Sequence, residues 1–198
     1  MLKLAITGNI ASGKSLVESL LIEQGIKTAD TDEIVHELLS RDIKIIEKVK
    51  NLFDIDVTDD DGKIDRKKVG NIVFANKNKL KQLEAVLHPE VKKIVEKFFS
   101  ENKNEKILAV SVPQLYETGW EVLFDYVLLV VADDKIRLKR LMKRNNLTEE
   151  EAEKRLAAQI SQEEKVKKAD FVINNSGYVG KTKLQLKTVL EKLEKTIN

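Results

Sequence analysis

Short apolar runs alternate with charged segments along most of the chain. The runs that we interpret as buried parallel strands cover residues 2–7, 25–29, 107–112, 126–131 and 171–173. Between them, apolar residues recur at helical spacing, as at Leu16, Leu20 and Leu21 and again in the closing segment from Leu186 to Ile197. The alternation predicts an α/β fold in which helices flank a parallel five-stranded sheet.

Two stretches interrupt the alternation with helical patterns alone. Residues 43–104 contain no convincing buried strand, and we interpret them as a helical insertion with a turn at residues 59–62 and a new helix starting at Pro89. Residues 134–168 form a charged helical hairpin whose second helix opens with a capping box at residues 148–151. We expect residues 1–198 to form one domain, with a core of residues 1–42, 105–133 and 169–198, an insertion of residues 43–104 and a hairpin of residues 134–168.

Composition narrows the classes of function. A chain of 198 residues with 42% hydrophobic and 34% charged residues is typical of a folded globular protein. Its net charge of +2 provides no bulk field for nucleic acid or an anionic membrane, so any phosphate affinity must be local. The absence of cysteine excludes disulfides and thiolate metal ligands. Apolar runs shorter than the about 18 residues of a spanning helix lead us to expect a cytoplasmic protein.

Residues 8–15 carry the most informative motif. Their sequence matches G-x-x-x-x-G-K-[ST] and lies directly after a predicted strand, where it opens an amphipathic helix. In such a loop, backbone amides and the helix N-terminus hold a β-phosphate, Lys14 neutralises the β- and γ-oxygens, and Ser15 offers its hydroxyl to Mg²⁺. The motif predicts a nucleoside triphosphate site. The alternative is a glycine-rich turn with an exposed lysine.

Two other segments resemble the motifs of regulatory GTPases only in part. Residues 59–62 fit D-x-x-G, but no apolar strand ends there. Residues 76–79 read Asn-Lys-Asn-Lys and lack the carboxylate that would bind guanine. We interpret both segments as turn and helix-start residues, which disfavours a GTPase.

Asp30 and Asp32 follow the second predicted strand, at the edge where open α/β sheets bind ligands. If the strand continues, both carboxylates point to the same side, toward the phosphate loop, and one could accept the proton of an attacking hydroxyl. Asp30 and Glu33 also fit an N-capping box, so Asp30 is either a cap or a site residue. We favour Asp32 as the general base.

Arginines recur on one face of the predicted hairpin. Arg137, Arg140 and Arg144 follow i, i+3, i+7 spacing, and Arg155 and Gln159 form an i, i+4 pair on the next helix. A solvated charged surface would explain this pattern. In phosphoryl transfer, however, arginines that close over the transferring group stabilise its charge and exclude water, which would make the hairpin a mobile lid.

Taken together, these motifs resemble the dephospho-coenzyme A kinase family from Gly8 to about Gly177. The resemblance also includes Leu87-His88-Pro89, the run Val112-Pro113-Gln114-Leu115-Tyr116-Glu117 and the run Ala169-Asp170-Phe171-Val172-Ile173-Asn174-Asn175. It implies a P-loop kinase fold with an acceptor-binding helical insertion and a helical lid. The implied reaction is ATP-dependent phosphorylation of the ribose 3′-hydroxyl of dephospho-CoA, giving coenzyme A and ADP in the last step of coenzyme A biosynthesis.

The resemblance also assigns roles to individual residues. Asp32, Lys14, Arg140 and Arg144 would be catalytic, and Asp32 and His88 would face the acceptor, although His88 fits a simple helix-start position equally well. Ser15 would bind Mg²⁺. The nucleotide would be bound by Gly8, Ile10, Ala11, Ser12, Gly13, Lys14, Ser15, Leu16 and Asn175.

The chain departs from the family pattern at two positions. Asn9 replaces the usual glycine, while Gly8 and Gly13 are kept. Ser111 stands where a carboxylate would hold Mg²⁺ through water, which leaves Asp30, Asp32 and Glu117 as further metal candidates.

Two other functions stay open on the sequence. The first is a kinase for a nucleoside monophosphate or another small hydroxyl compound, and the second is a module that binds ATP without transferring phosphate. We expect ATP and dephospho-CoA as partners, and neither nucleic acid nor membrane. The sequence does not fix the oligomeric state, and a monomer is compatible with it.

Overall fold

A computed structural model describes residues 1–197 and contains a five-stranded parallel sheet. The strands are β1 (Leu2–Thr7), β2 (Lys27–Asp30), β3 (Ile107–Ser111), β4 (Tyr126–Val131) and β5 (Phe171–Asn174), in the order β2-β3-β1-β4-β5. The helices are α1 (Lys14–Glu23), α2 (Thr31–Arg41), α3 (Ile43–Lys50), α4 (Arg66–Ala75), α5 (Lys77–Glu101), α6 (Leu115–Thr118), α7 (Asp134–Asn145), α8 (Glu149–Ala157), α9 (Gln162–Val166) and α10 (Val179–Ile197). The predicted fold class is confirmed.

Strand β1 lies at the centre of the sheet and contributes buried residues to its core. It pairs in parallel with both neighbours, so that Leu4 lies opposite Ala109 of β3 and Tyr126 of β4. Leu4 and Ile6 are fully buried, because helices cover both faces of a parallel sheet and leave no polar side to the strand. The carboxyl end of β1 leads directly into residues 8–13, which precede α1.

β2 starts at Lys27, later than the predicted start at residue 25. The reason is the end of α1. Gly25 has φ +78° and its amide donates to the carbonyl of Ile22 at 2.9 Å, so this glycine terminates the helix instead of extending the strand. Ile26 is the last residue before the strand begins.

The described chain divides into two compact units. One unit contains Met1–Ala29 together with the chain from Asn102 onward, and the other contains Asp30–Glu101. The second unit is helical and begins before the predicted insertion at residue 43, so that it includes α2. Its only β-type pairing within the described residues is an isolated bridge between Thr58 and Ile64, across the predicted turn at residues 59–62.

The prediction of a new helix at Pro89 was wrong, because Pro89 lies inside the continuous helix α5. An interior proline removes one backbone hydrogen bond and strains the preceding turn, at a cost of about 3 kcal/mol. A stripe of buried apolar residues runs along the helix on both sides of the proline and offsets that cost. The stripe contains Leu83, Leu87, Val91, Val95 and Phe99.

Residues 134–168 contain the helices α7, α8 and α9. The capping box predicted at the start of α8 is confirmed, since Thr148 and Glu151 exchange hydrogen bonds between side chain and backbone. These bonds from Thr148 hold the pKa of the Glu151 carboxyl below its ordinary value. Over residues 1–197, no helix has the length and apolar character needed to cross a bilayer.

Candidate active site

The loop between β1 and α1 requires glycine at two positions. A Cβ atom at Gly8 would lie 2.6 Å from the hydroxyl oxygen of Ser12 and 2.6 Å from the carbonyl oxygen of Val130. Gly13 has φ +95°, in the left-handed region that side chains disfavour. The two glycines of the motif are therefore needed by the shape of the loop itself, because any side chain at either position would push the backbone aside.

The N-terminus of α1 is arranged to face an anion. Gly13 precedes the helix, and within residues 1–197 no side chain caps it. Lys14 and Ser15 are the first two residues of the helix, and Ser15 is exposed. A helix N-terminus carries partial positive charge on its unpaired amides, and Lys14 adds a full charge at the same point. This geometry is that of a phosphate-binding loop.

Lys14 contacts Ser111, the residue that stands where the family pattern has a carboxylate. Its Nζ donates a hydrogen bond to the hydroxyl of Ser111, which is fully buried at the carboxyl end of β3. The hydroxyl of Ser111 accepts this hydrogen bond without adding a charge of its own, as a carboxylate at position 111 would. Sequence reasoning missed this contact, although the strand-end position of Ser111 was a usable signal.

The three arginines of α7 have different surroundings. Arg137 is buried, with 4% of its surface exposed, and donates to the carbonyl of Ile10 at 3.1 Å and to Asp134 at 2.8 Å. Arg140 donates to the carbonyl of Asn175 at 2.9 Å and approaches the carbonyl oxygens of Ala11 and Ser12 at 3.4 Å each.

Arg144 is exposed, and its Nε donates to the side chain of its neighbour Asn145 at 3.0 Å. The structure therefore brings Arg140 to the phosphate loop and leaves Arg144 on the surface. Because Arg137 supports the loop backbone, only part of the expected arginine face is presented to solvent.

Asn175 joins the loop to the end of β5. It is 3% exposed, its Nδ2 donates to the carbonyl of Ser12 at 2.9 Å, and its Oδ1 accepts from the hydroxyl of Thr182 at 3.0 Å. Both polar ends of the side chain are thus engaged within the protein. In this arrangement Asn175 supports the loop from behind, and its direct contact with nucleotide stays a prediction.

The far side of the loop is bound by residues that follow α8. The amide of Ile10 donates to Oε1 of Gln159 at 2.7 Å, and Nδ2 of Asn9 donates to the carbonyl of Ile160 at 2.7 Å. The replacement of glycine by Asn9 therefore adds a side-chain hydrogen bond. The prediction that Gln159 pairs with Arg155 on one helix was wrong, because α8 ends at Ala157. The sequence also did not indicate that Gln159 would orient a loop amide.

In the helical unit, the structure shows the capping role of Asp30. Its carboxylate accepts from the amides of Asp32 at 2.7 Å and Glu33 at 3.4 Å, at the N-terminus of α2. Because the chain turns into the helix at Thr31, the expectation that Asp30 and Asp32 project from one side of a continuing strand was wrong. Asp32 lies in the first turn of α2, and His88 is half-buried within α5.

One of the candidate metal ligands is already paired with a cation. Glu117 forms an ion pair with Nζ of Lys165 at 2.8 Å, which makes it a poor ligand for Mg²⁺. Among the described residues, no group of three or more histidine and acidic side chains is arranged to hold a metal. The exposed hydroxyl of Ser15 fits the Mg²⁺ that accompanies a nucleotide, because this ion commonly takes few protein ligands and completes its shell with phosphate and water.

The sheet order, the glycine-bounded loop after β1 and the lysine at the start of α1 define a P-loop phosphotransferase of the small-molecule kinase class. Residues 2–180 match the family model described as dephospho-CoA kinase. The chain belongs to the dephospho-CoA kinase family.

Individual relatives support the assignment over nearly the whole length. The dephospho-CoA kinase of Bacillus licheniformis is 42% identical over 192 residues, covering 96% of each chain. A crystal structure from Thermus thermophilus has 37% identity and a TM-score of 0.84, covering 97% of each chain.

The dephospho-CoA kinase from Campylobacter jejuni has 32% identity and a TM-score of 0.73, covering 98% of each chain. The shikimate kinase from Bacteroides thetaiotaomicron, with 11% identity, a TM-score of 0.56 and 98% of each chain covered, shares the fold alone.

Proposed function

We propose that this chain transfers the γ-phosphoryl group of ATP to the ribose 3′-hydroxyl of dephospho-CoA, producing coenzyme A and ADP in the last step of coenzyme A biosynthesis. The observation that carries the proposal is the loop of residues 8–15, which needs glycine at positions 8 and 13 and leads into an N-terminus of α1 that no side chain caps within residues 1–197. Family membership supports the choice of acceptor. In the reaction, the hydroxyl oxygen bonds to the γ-phosphorus, the bond to the β–γ bridging oxygen breaks, and ADP leaves.

The phosphate loop holds the donor. The triphosphate lies along the loop with its β-phosphate at the amides that open α1, which the helix dipole favours. Lys14 neutralises the β- and γ-oxygens, and its hydrogen bond with Ser111 fixes the direction of its long side chain. Ser15 provides the protein's hydroxyl to Mg²⁺, which screens the phosphate charge when it is bound.

Asp32 accepts the proton of the acceptor hydroxyl. It stands just past the end of β2, at the type of position where open α/β sheets bind ligands, and the helix cap at the start of α2 is Asp30 and not Asp32. A carboxylate at hydrogen-bonding distance from the attacking hydroxyl acts as a general base and accelerates transfer by about 10² to 10⁴-fold.

Arg140 and Arg144 stabilise the transferring group. Charge spreads over the three equatorial oxygens in the transition state, and forked guanidinium donors match those oxygens better than an ammonium does. Arg140 already lies against the loop carbonyls. Arg144 is exposed on the same helix, so that it is available to close over the phosphates.

The helical unit from Asp30 to Glu101 binds the acceptor, with Asp32 and His88 facing it. This unit is larger than a bare nucleoside needs, and it suits a substrate with a long pantetheine arm. Binding energy from that remote arm then supports the chemical step.

An ADP-release assay tests the proposal with dephospho-CoA, adenosine monophosphate or no acceptor. We expect turnover with dephospho-CoA and a much lower kcat/KM with adenosine monophosphate. The variant Lys14→Ala should lose activity by orders of magnitude in the same assay while it stays folded, because alanine is a good helix former. Equal kcat/KM for the two acceptors would indicate a nucleoside monophosphate kinase. ATP binding without turnover of any acceptor would indicate a module that only binds ATP.

A further inference from the structure

Lys165 is a buried charge that the proposed chemistry does not use. Its side chain is 0% exposed, and its Nζ lies 2.8 Å from an Oε atom of Glu117, whose side chain is 23% exposed. Removing a lysine from water is costly, and a buried ion pair recovers that cost only when its geometry is good. A hydrophobic residue would fill the same space without the desolvation cost of a charge. We therefore look for a role of this ion pair other than stabilising the fold.

The pair links a helix that follows β3 to a helix that precedes β5. Glu117 lies in α6, which follows β3, while Lys165 lies in α9. The side-chain amide of Gln162 in the same helix bonds to Ala132, just after β4, accepting from its N–H at 3.1 Å and donating to its carbonyl at 3.0 Å. Ser161 caps the helix by accepting from the amide of Glu164 at 3.2 Å. The short helix α9 is therefore fixed at both of its ends.

The residues just before α9 are those that contact the phosphate loop. Gln159 accepts from the amide of Ile10, and the carbonyl of Ile160 accepts from Asn9. Residues 159–165 thus form a continuous strap that touches the chain after β1, after β3 and after β4. Few residues separate the buried ion pair from the hydrogen bond to Ile10, so that a shift of α9 would move Gln159 with it.

We infer that Lys165 is a positioning residue for phosphoryl transfer: its ion pair with Glu117 fixes α9 and thereby holds Gln159 where it orients the amide of Ile10 in the phosphate loop. The inference rests on the proposed use of this loop to bind ATP. Without the ion pair, the strap loosens and the loop spends part of its time in conformations that do not fit the triphosphate. ATP then binds more weakly, because the loop must be ordered at the moment of binding.

The test compares Lys165→Met, Lys165→Arg and Lys154→Met. Lys154 is the matched control, since it forms an exposed ion pair with Glu150 on α8 at 2.7 Å. For each variant we would measure the ATP dissociation constant without acceptor, kcat and the KM for ATP with dephospho-CoA, and the melting temperature.

We expect Lys165→Met to raise the ATP dissociation constant and KM about tenfold while kcat falls less than about threefold. Arginine keeps the charge and can reach Glu117, so Lys165→Arg should restore most of the affinity. Lys154→Met should bind ATP as the parent does, because exposed ion pairs contribute little.

Glu117→Gln and Gln159→Ala provide a second route if Lys165→Met does not fold. Glu117→Gln keeps an oxygen for Lys165 but removes the charge, and it should weaken ATP binding in the same direction. Gln159→Ala should do the same, and combining it with Glu117→Gln should add little, because both changes act on the amide of Ile10.

A variant of Lys165 or Glu117 with a lower melting temperature but parental ATP affinity, measured where it is folded, would overturn the inference. Intact ATP binding without turnover of dephospho-CoA would instead contradict only the proposed acceptor.

Discussion

A Cβ atom placed on Gly13 would lie 1.9 Å from Nδ2 of Asn175, so the residue after β5 occupies the space that a side chain at position 13 would need. The same Nδ2 donates to the carbonyl of Ser12. The phosphate loop therefore packs closely against the end of β5 and also leads directly into α1. Loop shape and strand end are fixed together, which makes residues 13 and 175 interdependent.

Gly13→Ala should abolish ATP binding in the folded protein. The change adds a steric clash with Asn175 to the strain of a left-handed conformation, and the loop must shift to relieve both. Isothermal titration with ATP checks this. The double change Gly13→Ala with Asn175→Ala removes the clash but keeps the strain, and we expect it to recover binding only in part. Full recovery would show that φ at position 13 does not matter.

Asp32→Asn should lower kcat by about 10² to 10⁴-fold with little change in ATP affinity, because the amide keeps the shape of the side chain but cannot take the hydroxyl proton. Asp30→Asn is the matched comparison. Asparagine caps helices as well as aspartate does, so this variant should stay within a few-fold of the parent in kcat. Steady-state kinetics with dephospho-CoA distinguish the two. A larger loss from Asp30→Asn would transfer the general base to Asp30.

Arg144→Lys and Arg140→Lys should differ in their effect on stability. Arg144 is exposed, so replacing its fork by an ammonium should reduce kcat while the melting temperature barely changes. Arg140 donates to backbone carbonyls of the loop and of Asn175, and the lysine variant should lower both kcat and the free energy of unfolding, the latter by about 1–3 kcal/mol. An unchanged kcat in Arg144→Lys would show that Arg144 does not stabilise the transferring phosphoryl group.

The parts of the molecule that sequence could predict share one physical origin. β1, β3 and β4 are apolar on both faces, and the phosphate loop depends on its own glycines, so that local pattern determines both. The contact of Lys14 with Ser111 and the bond of Gln159 to Ile10 join residues far apart in the chain, and no local pattern encodes their register. Pro89 shows the opposite case. Its proline is a local signal for the start of a helix, but packing of the buried apolar stripe keeps α5 continuous through this position.

Tyr116 supplies a prediction about stability at high pH. Its side chain is buried, with 8% of the residue exposed, and in the described part of the chain its hydroxyl finds no hydrogen-bond partner. Burial, together with the nearby carboxylates of Asp170 and Glu121, raises the pKa of Tyr116 to about 12. The folded protein therefore holds this proton more tightly than the unfolded chain, in which tyrosine titrates near its ordinary pKa of about 10.

Tyr116→Phe should separate the two consequences of this burial. A raised pKa in the folded state means that unfolding releases the proton once the pH exceeds about 10, so the parent should lose stability between pH 10 and about 12. The phenylalanine variant lacks the hydroxyl and should lose less over that range. At pH 8 it should be at least as stable as the parent, because it no longer buries an unpaired polar group. Urea unfolding at pH 8 and pH 11 measures both effects. A variant that is clearly less stable than the parent at pH 8 would show that the hydroxyl makes a favourable interaction. Equal pH dependence of the two proteins would show that folding does not shift the pKa of Tyr116.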